Sequence, residues 1–345
     1  MSWSFDDDLA AIEAALGDAW KHLHGARLFI TGGTGFIGRW MLEAFAFADR
    51  WRGLDMPVTV LTRDPAAFAV KAPHLVAHPA FRFVAGDVLT LVPDGERYTH
   101  VLHAATDASA DLTNNHPTRM FDTVVAGTRR ALDFAVAAGA ERFLFFSSGA
   151  VYGAQPWEVT HVAEDWLGGP DPRDPRNTYA EAKRAAELLC AIYAKQHGLD
   201  VVTARIFALL GPLLSLDIHF AAGNFIRDAL AGRTVRVEGA GTAVRSYLYA
   251  ADLTAWLWTI LLRASPGATY NVGSDEAVSI ADLARRTATL LGDAGVEILG
   301  KPDPGWNPGR YVPSSALIRQ ELGVRQTVDL DEAIRRTAAS HGWNR

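Results

Sequence analysis

The sequence predicts an α/β fold: a doubly wound parallel sheet with a smaller C-terminal lobe and an extra N-terminal helix. Three observations predict it. Short apolar runs recur through the first part of the chain with helix-length intervals between them, the rhythm of parallel strands joined by crossover helices. The first run, Leu28-Phe-Ile-Thr31, leads directly into Gly32-Gly-Thr-Gly-Phe-Ile-Gly38 and an apolar helix. Far downstream, Tyr179-Ala-Glu-Ala-Lys183 sets a phenol and an ammonium four residues apart.

In chain order, residues 6–23 read as a helix ahead of the sheet. Asp8 or a neighbour caps it, and Ile12, Leu16, Trp20 and Leu23 form one apolar face that packs on the nucleotide-binding part. The turn after strand one carries Gly32, Gly35 and Gly38 at a three-residue spacing. Only glycine takes the positive φ of such a turn at little cost. It also lets backbone N–H groups approach a pyrophosphate, at which the helix from about residue 36 to 47 aims its N-terminus. Strand, turn and helix together are the context this spacing requires. Gly32, Thr34, Gly35, Phe36, Ile37 and Gly38 are therefore expected to hold a dinucleotide in a Rossmann-type fold. Further strands are expected at 58–61, 81–84, 99–103, 142–146 and 201–206, with helices at about 118–138 and 178–197. The Pro- and Gly-rich stretch 168–175 reads as a loop at the rim of the active site.

The chemistry explains the second motif. Hydride leaving or joining a carbon must be matched by a proton leaving or joining its oxygen. Tyr179 can be that acid or base, and a spacing of four places Lys183 on the same helical face. A free phenol titrates near 10, so a nearby ammonium and a positive nicotinamide ring are expected to lower Tyr179 toward neutrality.

Composition bounds the rest. The chain has 345 residues, 49% hydrophobic and 21% charged, which describes an ordinary globular protein. A net charge of −6 argues against nucleic acid or an anionic membrane as partner. One cysteine, Cys190, excludes an intrachain disulfide and a cysteine metal cluster, and no metal is expected. Acidic residues near the start do not make a signal peptide, no apolar run spans a bilayer, and a cytoplasmic protein is expected.

Thr31-Gly-Gly-Thr-Gly-Phe-Ile-Gly38 with Tyr179-x-x-x-Lys183 resembles the extended short-chain dehydrogenase/reductase family, in its nucleotide-sugar-modifying branch of epimerases, dehydratases, decarboxylases and ketoreductases. The likeness covers roughly residues 25–340, and Phe145-Phe-Ser-Ser-Gly-Ala-Val-Tyr-Gly153 resembles the segment that carries the family's catalytic Ser or Thr. The resemblance implies Ser148 as the hydroxyl that orients the reacting oxygen, and Lys183 as a ribose contact. It also implies Asp87 and Val88 at the adenine, Ala104 and Ala105 beside the dinucleotide, and Asn224, Arg245 and Arg310 as substrate anchors. It divides the chain into an extension at 1–24, a nucleotide domain at 25–205 plus about 233–265, and a substrate lobe at 206–232 and 266–345. A homodimer through a four-helix bundle is a further family expectation.

Three departures set the finer expectations. Strand two ends Leu61-Thr62-Arg63-Asp64, where an NAD enzyme is expected to carry a ribose-binding acid. Arg63, with Arg39, suits a 2′-phosphate, which favours NADP(H) over NAD(H), while Asp64 could instead take the ribose hydroxyls. Relatives that dehydrate or decarboxylate sugars place an acid beside the catalytic hydroxyl, and here those neighbours are Gly149 and Ala150. The resemblance then implies a 4-ketoreductase acting on a nucleotide-activated deoxyhexose, with a 4-epimerase holding NAD tightly as the alternative. A 4,6-dehydratase, a reductase of non-sugar carbonyls and a cofactor-sensing binding protein are weaker readings. The chain reads Arg205-Ile-Phe-Ala208 where many relatives end in Asn, so a common substrate contact is missing.

Overall fold

The computed structural model describes residues 3–106, 110–217, 221–292, 294–303 and 309–343. Helix α1 (Phe5–Leu16) opens with a reciprocal capping box between Ser4 and Asp7, and Gly17 at φ 48° ends it. A 3-10 segment, Gly17–Leu23, continues the same face, so Ile12, Leu16, Trp20 and Leu23 are all buried. Ser4, not Asp8, is therefore the cap. Asp8 sits one turn further in, on the buried face, where it accepts from the Tyr249 hydroxyl and from Arg336 Nη1 at 2.7 Å.

The nucleotide half alternates as its apolar runs dictate: β1 (Leu28–Thr31), α2 (Phe36–Arg52), β2 (Val58–Thr62), α3 (Pro65–Lys71), α4 (Pro73–Val76), β3 (Phe81–Ala85), β4 (His100–His103), α5 (Ala110–Asn115), α6 (Pro117–Ala137), β5 (Arg142–Ser148), α7 (Thr178–His197) and β6 (Asp200–Ile206). The remainder runs β7 (Leu209–Leu210), α8 (Ala221–Leu230), β8 (Val235–Val237), β9 (Val244–Arg245), β10 (Leu248–Tyr249), α9 (Ala250–Arg263), β11 (Thr269–Val272), β12 (Val278–Ser279), α10 (Ile280–Leu291), β13 (Val296–Ile298), β14 (Arg310–Tyr311), α11 (Ala316–Leu322) and α12 (Leu330–Ala339).

Seven strands form one parallel sheet in the order β11-β6-β5-β4-β1-β2-β3. Both of its faces are covered. One apolar core joins it to α1, α2 and α9, and a second joins it to α6 and α7. The chain winds one way from β1 through β3 and the other way from β4, so a crevice opens above β1 and β4 at the strands' C-terminal ends. Strand β11 lies inside the segment assigned to the substrate lobe, yet it pairs with β6 and extends the nucleotide sheet. Its register, Thr269 opposite Thr203 through Val272 opposite Ile206, places the lobe's beginning after the sheet edge.

The smaller lobe is held by short ribbons, β12-β9-β14 and β13-β8, with α8 and α10 packed together. A third small apolar cluster, Val151, Tyr152, Val162 and Phe207 with Val159 and Tyr311 against it, fills the seam beside the crevice.

Candidate active site

The glycine turn is built against the end of β4. Gly32 has φ +74°, and a Cβ there would lie 2.5 Å from the Ala104 carbonyl carbon and 2.6 Å from the Ala105 nitrogen. A Cβ on Gly38 would lie 2.3 Å from the Gly32 carbonyl oxygen. These are backbone contacts that cannot yield, so both positions require glycine. Gly35 is the N-cap of α2 and no side chain caps it, which leaves first-turn N–H groups for an anion. Thr34 is tied to Thr62 by a 3.2 Å hydroxyl contact, and Phe36 and Ile37 pack partly buried at the helix start. Ala104 and Ala105 donate their N–H groups to the Thr31 carbonyl and hydroxyl. Beneath them His103 bridges Thr31 at 2.7 Å and Thr128 at 3.0 Å, and burial, reinforced by Lys183, lowers its imidazole to about 3. The residues present fit a dinucleotide pyrophosphate.

At the adenosine end, Thr62 is buried and Arg63 is exposed without an ion pair among the described residues. Asp64 caps α3 by accepting from Ala67 N at 2.9 Å, which turns one carboxylate oxygen away from a ribose. Arg39 is held by Glu43 at 3.2 Å, and Glu43 also meets His74 at 2.8 Å. Asp87 accepts from Leu89 N and caps the short turn in which Val88 packs against Gly127.

Strand β5 runs on through Ser148, so the hydroxyl expected to be catalytic ends the strand in the crevice. Helix α7 then returns Tyr179 and Lys183 to the same place. Ser148 accepts from Ala150 N at 3.2 Å and lies near enough to the Tyr179 phenol to oppose the rise that burial gives it. Lys183 donates to Thr106 Oγ1 at 2.8 Å and to the Phe146 carbonyl at 2.7 Å. Burial draws the Lys183 ammonium down to about 7. The expected lowering of Tyr179 by Lys183 is not found: burial raises the phenol, opposed by its hydrogen bond to Ser148. The reason is geometric and electrostatic. Lys183 Nζ lies 6.0 Å from the Tyr179 ring centroid, and its own burial weakens its charge.

Four participants were not singled out from the sequence. Thr106 follows the Ala104-Ala105 pair and receives Lys183. Glu187 lies one further helical turn along the Tyr179–Lys183 face, a spacing that could have revealed it. It accepts from Ser147 Oγ at 2.5 Å and from Arg205 Nη2 at 2.8 Å, while Arg205 Nη1 reaches Tyr152 at 2.8 Å. This network ties β5, α7 and β6 together directly under Ser148. Phe207 follows Arg205 and closes on Gly149: a Cβ there would lie 2.5 Å from the Phe207 Cζ atom. Tyr311 stacks on Phe207 with ring centroids 4.6 Å apart, and its hydroxyl stands 3.5 Å from Ser148 Oγ. Nothing local in the sequence around Tyr311 announces it.

The three expected substrate anchors separate. Arg245 and Tyr311 are directly paired on β9 and β14, so they project to one side, while Arg310 and Val244 project to the other. Arg245 donates to the Val244 and Gly309 carbonyls at 2.8 and 3.2 Å. The Arg310 guanidinium lies over the Trp157 ring at 4.6 Å, and its Nε is buried with no hydrogen-bond partner. Asn224 is within α8, not ahead of it, and accepts from Arg227 at 3.2 Å. The loop 168–175 lies on the turn after Ser148: Arg184 joins the Gly168 and Val151 carbonyls, and a Cβ on Gly153 would strike Gly169 at 2.4 Å.

Comparison with known proteins agrees with this geometry. The model of the NAD dependent epimerase/dehydratase family matches residues 28–273. The chain is 30% identical over 311 residues to UDP-glucuronic acid decarboxylase 1 of Xenopus tropicalis, covering 90% of this chain and 71% of the relative. It is 29% identical to UDP-glucuronic acid decarboxylase 6 of Arabidopsis thaliana, covering 89% and 86%. Among solved structures, a dTDP-glucose 4,6-dehydratase of Streptomyces venezuelae with NAD bound is 26% identical at a TM-score of 0.77, covering 91% of this chain and 96% of that one.

Proposed function

The chain belongs to the NAD-dependent epimerase/dehydratase family, as an enzyme of the extended short-chain dehydrogenase/reductase type, and on that premise we propose that it reduces the C4 ketone of a nucleotide-activated deoxyhexose. The observation that carries this reading is the packing of Phe207 on Gly149. An acid beside the catalytic hydroxyl, as dehydration or decarboxylation needs, would have to displace that ring, and Ala150 offers no proton either. Simple hydride chemistry remains. The nucleotide-sugar class is supported by the relatives matched over nine-tenths of the chain, which act on UDP-glucuronic acid.

When bound, the nicotinamide supplies the hydride. Tyr179, kept protonated by burial, gives its proton to the ketone oxygen, and Ser148 holds that oxygen in line. Lys183, steadied by Thr106 and the Phe146 carbonyl, would hold the nicotinamide ribose. Arg245, on the Tyr311 side of its ribbon, is the diphosphate anchor this arrangement favours. For the cofactor we favour NADP(H), supported by Thr62 in place of an acid and by the unpaired Arg63. For the assembly we favour a homodimer, supported by Phe121, Leu188 and Ile192, exposed on the adjacent helices α6 and α7.

The test is direct. Purified protein is denatured and any released dinucleotide identified by mass spectrometry; fresh protein is then given dTDP-4-keto-6-deoxyglucose with NADPH or NADH. NADPH oxidation matched by a reduced sugar supports the reading. Stoichiometric bound NAD with interconversion of C4 epimers replaces it by the epimerase, and release of carbon dioxide from UDP-glucuronic acid replaces it by the decarboxylase. Arg63→Ala is expected to weaken NADPH binding roughly ten- to a hundredfold, the scale of one hydrogen bond to a charged group, with NADH binding little changed.

A further inference from the structure

Ser148 Oγ has three polar neighbours. Ala150 N–H donates to it at 3.2 Å, the Tyr311 hydroxyl stands 3.5 Å away, and the Tyr179 phenol is near enough for Ser148 to oppose the rise that burial gives it. A hydroxyl has one proton and two acceptor lone pairs. Ala150 occupies one lone pair. A second donor on the other lone pair would fix the hydroxyl rotor with its proton directed at a substrate oxygen. Tyr179 cannot be that donor, because in the reduction its own proton goes to that same oxygen. Tyr311 is the remaining donor.

We propose that Tyr311 is a positioning residue: it donates its hydroxyl hydrogen to Ser148 and so turns the Ser148 proton toward the reacting oxygen. The proposal rests on the roles given above to Ser148 and Tyr179. The ring is placed for it. Phe207 stacks on one face, and β14 is clamped to the segment after the catalytic turn: Val312 N donates to Gln155 Oε1 at 3.0 Å, and Val162 N donates to the Val312 carbonyl at 3.0 Å. Among the described residues the Tyr311 hydroxyl has no other hydrogen-bond partner. Burial pushes the Tyr311 phenol above its ordinary range, so it stays a donor throughout neutral pH. The 3.5 Å separation is longer than a formed O–H···O bond of about 2.7 Å, so the proposal requires it to shorten when a substrate fills the cleft. Hydride and proton balance are unchanged: the carbonyl carbon gains hydride, its oxygen gains the Tyr179 proton, and Tyr311 keeps its own.

The test is a double-mutant cycle with Tyr311→Phe, which keeps the ring, and Ser148→Ala. With NADPH and dTDP-4-keto-6-deoxyglucose, Y311F is expected to lower kcat roughly tenfold, the scale of one neutral hydrogen bond, with KM and NADPH affinity unchanged. In the S148A background it is expected to lower kcat no further. Wild-type kcat in Y311F, a rise in KM alone, or the same loss in the S148A background each overturns the proposal. A second arm needs no substrate. Phenolate absorbance is titrated with NADP+ bound, and Tyr179→Phe assigns the signal. Y311F is expected to raise the Tyr179 titration in the wild-type background and leave it unmoved in S148A. If no nucleotide-activated ketone is reduced, the reading of the substrate fails, while this arm still decides the role of Tyr311: an unmoved titration in Y311F overturns it.

Discussion

The crevice wall proposed for the cofactor takes Gly32, Thr34, Gly35, Gly38 and Arg39 from one unbroken stretch of chain, whereas the wall proposed for the substrate gathers Ser148, Phe207, Arg245 and Tyr311 from four separated segments. The first wall works through backbone: uncapped N–H groups and glycines at which a Cβ would come within 2.3–2.6 Å of main chain. The second works through side chains whose meeting depends on a ribbon, a clamp and a stacked ring pair. A pyrophosphate offers the same anionic oxygens in either nicotinamide dinucleotide, so a contiguous backbone device suits it. The substrate side can vary by exchanging single side chains without disturbing the sheet.

Perturbing each wall should separate the two functions. Tyr179→Phe should lower turnover roughly 10²- to 10⁴-fold, the range for a lost general acid, while fluorescence titration shows cofactor binding intact. Wild-type turnover in that variant would remove Tyr179 from the chemistry. Beneath the substrate wall, Glu187→Ala strands Arg205, whose side chain is 16% exposed. Denaturant unfolding should show a loss of about 3 kcal/mol, the lower end for a broken buried pair. A change within half a kcal/mol would mean the network contributes little.

On the cofactor wall, Gly38→Ala should weaken dinucleotide binding roughly ten- to a hundredfold through overpacking of about 1–3 kcal/mol, read by isothermal titration. Undiminished affinity would contradict the close approach at Gly32.

A further effect is one of pH. His103 has its folded pKa lowered from 6.5 to about 3, so within that window the unfolded chain binds a proton that the folded chain refuses. Its contribution is complete above pH 6.5 and is lost as pH falls, at about 1.4 kcal/mol per unit. His103→Gln should flatten the stability profile between pH 6.5 and 3 by that slope, and an unchanged slope would place the acid sensitivity elsewhere.

How much was legible follows the same division. The strands that begin at Leu28, Val58, Phe81 and His100 show as apolar runs because a sheet covered on both faces requires them. The Tyr179–Lys183 pair shows because one helix carries both. By contrast, β11 was placed in the wrong half, since four residues flanked by loops carry no sign of which sheet they will join. Asp8 looked like a cap because local rules favour an acid at a helix start, yet it answers to Tyr249 and Arg336, more than two hundred residues away.

By itself the sequence determined the parallel sheet, the glycine turn and the placing of Tyr179 and Lys183 on one helix, because each is written in local periodicity or in fixed spacing along one element. Only the tertiary structure decided that Phe207 fills the space beside Gly149, that Arg245 and Arg310 face opposite ways, and that Tyr311 stands at Ser148. Those facts depend on which strands become neighbours, and long-range packing sets that where no local signal does.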